Sequence, residues 1–292
     1  MISILPEFFN DFHCKADHCA HTCCQVWEID IDEDTADYYQ HLEGPLGDKI
    51  RSSMVKEGDT WHFTLNDKGY CHLLDEHGLC TIIKELGEDA LCDICTVHPR
   101  FFTYVDDYIL CGQGLCCEET CELLSRLQGE LHFIDEDTGT PLLFATLLEG
   151  MGLAVPDEEL HFAPAPDEDY YQDLLIRLAA TEPIDEAWTE RMQELLGKVP
   201  QVVEAAGKYK PGYDAALFDR VYQYIFYRQL DKADTYGMHV LAQYARESTE
   251  YIYLESALTH NPQEAMRRWS EQIEYDTENV DVLCEKIAKS EE

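Results

Sequence analysis

The chain of 292 residues carries 59 acidic and 21 basic side chains, which gives a formal net charge of −38, and it contains 13 cysteines. This length allows one large or two medium domains, and an apolar fraction of 45% argues against global disorder. Nucleic acid and anionic membrane surfaces are excluded as partners, because both are bound through basic residues that neutralise phosphate. A basic partner would be attracted.

The first residues carry no signal for secretion or membrane insertion. No apolar run is long enough to span a bilayer, and the segment from Met1 to Phe12 lacks a basic region followed by a long apolar stretch. We therefore expect a cytoplasmic protein. In that reducing compartment clustered cysteines bind metal or do redox chemistry more often than they form disulfides.

The predicted elements of the first part are short. Trp61–Leu65 alternates as a strand does, and Asp34–Leu42 has helical spacing with Asp32 or Asp34 as its N-cap. Glycine and proline at 44–47 predict a turn between these elements.

Two later pieces of the first part are also readable. Cys71–Leu74 and Leu79–Ile83 flank a turn, and they predict either a pair of strands or a strand that runs into a helix. Residues Cys116–Gly129 are rich in leucine and glutamate and predict a helix.

The second part of the chain reads as helical. Residues 129–168 are interrupted by glycine and proline and predict a connector, with one apolar helix-sized stretch at Leu142–Leu148 and an extended linker at Ala163–Pro166. Beyond it, three- and four-residue apolar spacing predicts helices over Tyr170–Ala180, Asp185–Leu196, Ala215–Leu230, Thr235–Ala257, Pro262–Ile273 and Thr277–Ala288. The aromatic stripe within 215–230 indicates a buried helix rather than a cofactor slot.

The predicted fold is therefore mainly α with a small irregular or β portion. It has a cysteine-rich, metal-organised domain over 1–128, a connector over 129–168 and an all-helical domain over 169–292. The cysteines decide this division, since twelve of the 13 lie in the first 121 residues and Cys284 alone lies beyond them.

The twelve cysteines fall into four groups. Their positions are 14, 19, 23 and 24, then 71 and 80, then 92 and 95, and finally 111, 116, 117 and 121. Thiolates are soft ligands that suit zinc and iron–sulfur centres. The irregular spacings, with a single Cys-x2-Cys pair, favour an iron–sulfur cluster over structural zinc, while unligated or redox-active thiols remain a third alternative.

The residues around these cysteines resemble the flagellin lysine-N-methylases. The similar motifs are Phe12-x-Cys14-x4-Cys19-x3-Cys23-Cys24-x2-Trp27-x-Ile29-Asp30, Gly69-Tyr70-Cys71, Gly78-Leu79-Cys80, Gly87-Glu88-x3-Cys92-x2-Cys95-x2-His98-Pro99-Arg100 and Leu115-x-Cys117-x-Glu119. The similarity extends to two helical segments, Phe218-x3-Tyr222-x2-Ile225-Phe226-Tyr227-Arg228 and Trp269-Ser270-Glu271-x-Ile273-Glu274. The sequence departs from the family pattern at His98 and Glu118, and Cys111, Cys116 and Cys121 are additional.

The resemblance implies a protein-lysine N-methyltransferase of flagellin or a similar protein. It also implies S-adenosylmethionine as the methyl donor and an iron–sulfur cluster, of the [4Fe–4S] type, as cofactor. The implied metal ligands are the nine cysteines within the motifs, namely Cys14, Cys19, Cys23, Cys24, Cys71, Cys80, Cys92, Cys95 and Cys117. The implied cofactor-binding residues are the polar ones in the same motifs, namely Asp30, Glu88, Arg100 and Glu119.

Two common signatures of methyl-donor binding are absent from the sequence. No Gly-x-Gly-x-x-Gly follows a strand, and the Cys-x3-Cys-x2-Cys run of radical enzymes is incomplete at Cys19-x3-Cys23. No motif identifies a catalytic base. The alternative function is a non-catalytic zinc- or iron–sulfur-binding module that recruits a basic protein partner through its acidic surface.

Overall fold

The fold was described from a computed structural model, which covers residues 1–27 and 29–290. The strands, in chain order, are β1 Ile2–Pro6, β2 Ile29–Ile31, β3 Met54–Glu57, β4 Thr60–Phe63, β5 Arg100–Val105, β6 Tyr108–Gln113, β7 His132–Asp135 and β8 Thr140–Leu143. The helices are α1 Glu33–His41, α2 Gly44–Ser52, α3 Thr81–Leu86, α4 Asp93–Val97, α5 Glu118–Arg126, α6 Phe144–Gly150, α7 Glu168–Leu178, α8 Glu186–Leu196, α9 Val199–Tyr209, α10 Ala215–Arg228, α11 Ala233–Tyr236, α12 Met238–Thr259, α13 Pro262–Glu274 and α14 Thr277–Ser290. Helices make up 56% of the chain and strands 15%, which confirms a mainly α fold with a small β portion.

The chain divides into two compact units. The inserted unit is His13–Pro99, and the main unit combines Met1–Phe12 with the chain from Arg100 onwards. These boundaries differ from the predicted ones near 128 and 168. The reason is that the first strand, β1, pairs with strands that follow the insertion, so it belongs with the second part of the chain.

The inserted unit has a small core of its own. Its three-stranded sheet has the order β2-β4-β3 with antiparallel neighbours. Helix α1 begins at its N-cap Asp32, whose carboxylate accepts a hydrogen bond from Thr35 N at 2.9 Å, as predicted for one of two candidate caps. Tyr39, on this helix, is fully buried.

The main unit is built on a five-stranded sheet of order β5-β6-β1-β7-β8. Strand β1 lies in the middle, parallel to β6 and antiparallel to β7. On one face of this sheet, Ile4, Leu110 and Phe133 pack into a large core that the helices complete. Alternation along each strand therefore directs one set of side chains into the helical layer.

Helix α10 is joined to the sheet by hydrogen bonds between Tyr224 and Gln113. The Tyr224 hydroxyl donates to Gln113 O at 2.7 Å and accepts from Gln113 N at 2.8 Å. Gly112 permits this approach, because a β-carbon there would lie 2.7 Å from the Tyr224 hydroxyl and 2.3 Å from the Phe101 ring. The predicted burial of the aromatic stripe is confirmed for Phe218, Val221, Tyr222, Tyr224, Ile225, Phe226 and Tyr227.

Residues 129–168 form packed structure in addition to a connection. They supply β7, β8 and α6, and Phe133, Phe144, Leu147 and Leu148 are buried in the main core. The segment at 163–166 has no regular structure, in keeping with the predicted linker, yet Lys210 Nζ donates to Pro164 O at 2.7 Å. The glycine and proline residues of this segment predicted its turns, but they gave no indication of the short strands β7 and β8 between them.

Most of the other helix predictions are confirmed, with ends shifted by a few residues. Among the helices of nine or more residues, the exceptions are α2, where the sequence predicted a turn, and α9, which was not predicted. Both carry proline in the first turn, where its missing N–H group costs nothing and its fixed φ suits a helix. None of the helices, within the part of the chain that the structure describes, is both long and apolar enough to cross a membrane.

Candidate metal centre

Five cysteines converge in the core of the inserted unit. They come from four segments that are far apart in sequence, and none of them forms a disulfide. We call them the five-thiol group: Cys24, Cys71, Cys80, Cys92 and Cys95. Cys71 and Cys92 are buried, and the other three are half-buried.

Backbone hydrogen bonds bring the first three thiols of this group together. Cys71 N donates to Cys24 O at 2.8 Å, and residues Leu74 and Cys80 form an isolated antiparallel bridge. The chain then enters α3 directly after Cys80, so the second of the two predicted alternatives, an extended piece running into a helix, describes this segment.

Two of the thiols precede short helices. Cys80 is the N-cap residue of α3 and Cys92 that of α4. The start of α4 is tied to α1, because Asp93 N donates to Asp32 Oδ2 at 2.9 Å. The Tyr39 hydroxyl adds a second tie, donating to Ala90 O at 2.6 Å. These two hydrogen bonds, made by the N-cap of α1 and by Tyr39 on it, therefore fix the position of the Cys92–Cys95 pair.

The thiols of the group influence one another's acidity. The Cys95 thiol donates a hydrogen bond to Cys92, which lowers the pKa of Cys92 and holds the pKa of Cys95 far above its usual range. Burial raises the pKa of Cys71 to about 11, and the charges of Cys24, Cys80 and Cys92 add to this effect. The four segments thus bring their sulfurs within electrostatic range of each other.

Within the five-thiol group, Cys24 has a pKa close to neutral. A side-chain hydrogen bond with Cys23 lowers its pKa to about 7, against the opposing effect of burial, and Thr22 adds a further hydrogen bond. Cys23 is itself exposed, and its carbonyl oxygen accepts from Trp27 Nε1 at 2.8 Å. A thiolate is thus available at neutral pH, which is the form that binds soft metals.

Four predicted ligands are not members of the five-thiol group, and one of them, Cys23, is hydrogen-bonded to Cys24. Cys14 is exposed, with its sulfur 3.4 Å from Ala16 N, and Cys19 is half-buried. Cys117 belongs to the main unit, where it is the N-cap residue of α5. No group of three or more His, Cys, Asp or Glu side chains that could hold a metal ion is present within residues 1–27 and 29–290.

The four predicted cofactor-binding residues are divided between the units. Asp30 on β2 and Glu88 in a 3₁₀ turn are exposed residues of the inserted unit. Arg100 begins β5 in the main unit, with its guanidinium 5.1 Å from the centre of the Phe12 ring. Glu119 on α5 lies 3.9 Å from the Arg126 guanidinium.

Sequence reasoning did not single out a buried polar group of the main unit. Glu274 accepts from Arg228 Nη1 at 3.1 Å and from the Ser270 hydroxyl, and burial raises its pKa. The Arg228 guanidinium lies 4.8 Å from the centre of the Phe101 ring. Both residues fall within the helical motifs quoted above, so the signal was in the sequence, but nothing there showed that α10 and α13 would pair them.

Curated proteins match the chain in part. The lysine-N-methylases of Salmonella typhimurium and Salmonella choleraesuis are each 28% identical over 120 residues, which is 39% of this chain and 30% of theirs. The chain is similar to lysine-N-methylases. Flagellar biosynthetic protein FliU of Salmonella muenchen matches at 28% identity over 120 residues, which is 71% of that protein. No family model and no solved structure matches the chain.

These matches confirm the resemblance predicted from the motifs. They support an enzyme of the methyltransferase type at low identity. The match spans less than a third of the length of either lysine-N-methylase, so the activity of those whole proteins does not transfer directly to this chain.

Proposed function

We propose that the protein is a lysine N-methyltransferase that modifies flagellin or a similar protein, with S-adenosylmethionine as methyl donor. The observation that carries this proposal is the similarity to the lysine-N-methylases. The charge of −38 supports it, because an acidic surface attracts a lysine-bearing substrate and raises the rate of encounter.

We further propose that thiolates of the inserted unit hold an iron–sulfur cluster. The donor set supports this, since the five-thiol group offers more than the four thiolates that a [4Fe–4S] cluster takes. A single zinc ion needs its four sulfurs within about 4 Å of each other, as follows from Zn–S bonds of roughly 2.3 Å in a tetrahedron. A cluster of several iron atoms spaces its ligands more widely. The absence of a ready single-ion site among the described residues is therefore compatible with a cluster.

When bound, such a cluster would supply an electron-rich metal centre that can coordinate or polarise the methyl donor. The residues of this chain would have three tasks. The thiolates of Cys24 and its neighbours would hold the centre, and Asp30, Glu88, Arg100 and Glu119 are proposed as polar contacts of the donor. The site must also remove the proton of the substrate lysine, by desolvation or through a nearby base, because only the unprotonated nitrogen can attack a methyl group.

Two assays test this function together. The protein is purified without oxygen, its iron, sulfide and zinc are measured, and visible absorbance reports thiolate-to-iron charge transfer. It is then incubated with isotope-labelled S-adenosylmethionine and flagellin, and the lysines are examined by mass spectrometry. We expect iron with sulfide and labelled methyl-lysine.

The outcomes separate the two proposals. A colourless protein with stoichiometric zinc would contradict the cluster while leaving the methyl transfer open to its own assay. A protein with bound metal that transfers no methyl group would favour the alternative function, a metal-binding interaction module. For the donor contacts, Glu88→Gln and Arg100→Gln should weaken S-adenosylmethionine binding in calorimetry, whereas the exposed Glu168→Gln should not.

A further inference from the structure

Strand β5 forms an edge of the five-stranded sheet. Among the residues that the structure describes, it pairs as a strand with β6 alone, through six residues in antiparallel register. The strand contains neither proline nor lysine, and no bulge interrupts its register. Natural proteins usually block an exposed edge with such features, with charged residues or with a covering element, because an open edge can accept another strand. The one charged residue of β5, Arg100, begins the strand, and the 3₁₀ turn Leu230–Lys232 contacts it.

The two faces of β5 differ sharply. Phe101 and Val105 point to the side of the main core and pack against it. Phe102 and Tyr104 point the other way and are 47% and 64% exposed. Strand pairs gain stability from contacts between aromatic or β-branched side chains on one face, so this arrangement offers such contacts to an incoming strand.

Five carboxylates surround one end of the same sheet. They lie in or beside the two hairpin turns: Asp106, Asp107, Asp135, Glu136 and Asp137. The pairing of Ile2 with Tyr108 and the hydrogen bond from Glu136 N to Ser3 O place both turns at the same end. No lysine or arginine occurs within 101–125 to neutralise them.

One of these carboxylates, Glu136, affects the pKa of a thiol on the side of the sheet that carries Phe102. Cys111 is the register partner of Phe102, so both side chains point to the same side. Burial, with a contribution from the charge of Glu136, raises the pKa of Cys111 to about 11. Glu136 therefore lies within electrostatic range of the side of the sheet that carries Phe102.

We propose that β5 binds an extended, lysine-bearing segment of the substrate protein, which adds to the sheet as a further strand. The proposal rests on the lysine methyltransferase function and assigns the recognition of its substrate. The main-chain groups of β5 would supply affinity, Phe102 and Tyr104 would pack against alternate side chains, and the acidic end would select lysine. A second copy of this chain is a poor occupant, because two chains of −38 repel each other.

The test uses the full chain, loaded with its metal, and a short synthetic peptide that alternates lysine with threonine and valine. Binding is measured by calorimetry, and hydrogen exchange reports the amides of β5. Two double variants are compared, F102T/Y104T, which keeps strand propensity, and D106N/D107N. The controls are Ile176→Thr, an apolar residue of α7 that is 50% exposed, and Glu168→Gln, an exposed acid of the same helix.

We expect the F102T/Y104T variant to weaken peptide binding about tenfold, which corresponds to roughly 1.4 kcal/mol. The D106N/D107N variant should weaken it about threefold at low salt and less at high salt, since exposed charges are screened. The peptide should also protect alternate β5 amides from exchange. In the methyl-transfer assay both variants should raise KM for flagellin and leave kcat unchanged, while the controls match the natural protein.

Three results would overturn the proposal. They are equal peptide affinity for the double variants and the controls, β5 amides that stay unprotected at saturation, or self-association of the natural protein that F102T/Y104T abolishes. Failure of the function has a different signature. If the natural protein binds the peptide through β5 but methylates no lysine, the result contradicts the proposed activity and supports β5 as the binding strand. If it methylates flagellin with an unchanged KM in both variants, the docking strand falls and the activity stands.

Discussion

The two units of this protein are stabilised in different ways. The main unit buries about fifty apolar side chains in one core, including eight aromatic or aliphatic residues of α10 alone. The inserted unit, with roughly 90 residues, buries few large side chains, and two of its core positions are the cysteines Cys71 and Cys92. Cysteines thus take two of the eleven buried core positions of the inserted unit, against two of fifty in the main unit. The comparison predicts that the stability of the inserted unit depends on its cysteines more than that of the main unit does.

The largest expected effect is on metal and folding of the inserted unit. Cys71→Ala should release metal and make residues 13–99 sensitive to protease, because metal ligation contributes on the order of 10 kcal/mol in small metal-dependent domains. Cys284→Ala, a buried cysteine of α14, should retain full metal content. Metal analysis and limited proteolysis measure both. Equal metal loss in the two variants would remove the distinction between the units.

A second effect, specific to the main unit, depends on pH. Burial raises the pKa of Glu250 from 4.5 to about 7, although Tyr171 and Ala165 donate hydrogen bonds to its carboxylate. Between these two pH values the folded protein holds a proton that the unfolded chain has lost, so this group makes stability fall as pH rises through the window. The loss is at most about 3 kcal/mol.

Glu250→Gln should remove this dependence. Chemical denaturation at about pH 5 and about pH 8 gives the difference in unfolding free energy between the natural protein and the variant, which should change by up to about 3 kcal/mol. The exposed Glu168→Gln is the matched control and should follow the natural protein at both values. A difference that stays constant with pH would show that Glu250 ionises normally.

A third, smaller effect sharpens the role of buried hydrogen bonds in the main unit. Tyr224→Phe leaves both the N–H and the carbonyl of Gln113 without the hydroxyl that they bond, at a cost of about 2 kcal/mol. The unfolding transition of the main unit should shift to lower denaturant, while metal content stays unchanged. Tyr104→Phe, which removes an exposed hydroxyl from the same sheet, should leave the transition where it is.

The smallest effect concerns the inserted unit. Asp32→Ala removes the acceptor for the first turns of both α1 and α4, which should cost this unit about 1 kcal/mol. Asp32→Asn, which keeps one acceptor oxygen, should lose less. Hydrogen exchange of the Thr35 and Asp93 amides provides the measurement. Unchanged protection in Asp32→Ala would mean that the Tyr39–Ala90 hydrogen bond and the packing of the core position α4 without Asp32.

The sequence predicted the long helices of the main unit well and its sheet not at all. Helical spacing over ten or more residues, as in α10, is a strong local signal, whereas β1 is five residues long and its partners follow about a hundred residues later. Local patterns carry no information about such pairing. The helices α2 and α9 were missed because each has proline in its first turn. In a sequence, proline indicates the end of a helix as readily as its start.

The sequence predicted a site for a soft metal, but it did not predict which cysteines would lie close together. Residue type and clustering indicated soft-metal chemistry, and the motifs indicated which cysteines to consider. Which of them converge depends on long-range bonds such as that from Cys71 N to Cys24 O, together with the burial that separates Cys92 from Cys14. Spacing alone could not place Cys117 in the other unit.

The central position of β1 bears on how the chain assembles during synthesis. This strand is synthesised before the inserted unit, and its parallel neighbour β6 is synthesised after it. An unfolded insertion would be a long loop to close, and closure of a loop costs entropy that grows with its length. Once the inserted unit has folded, its two ends lead into Phe12 and Arg100, whose side chains touch. Early folding of the insertion would therefore lower the entropic cost of pairing β1 with β6.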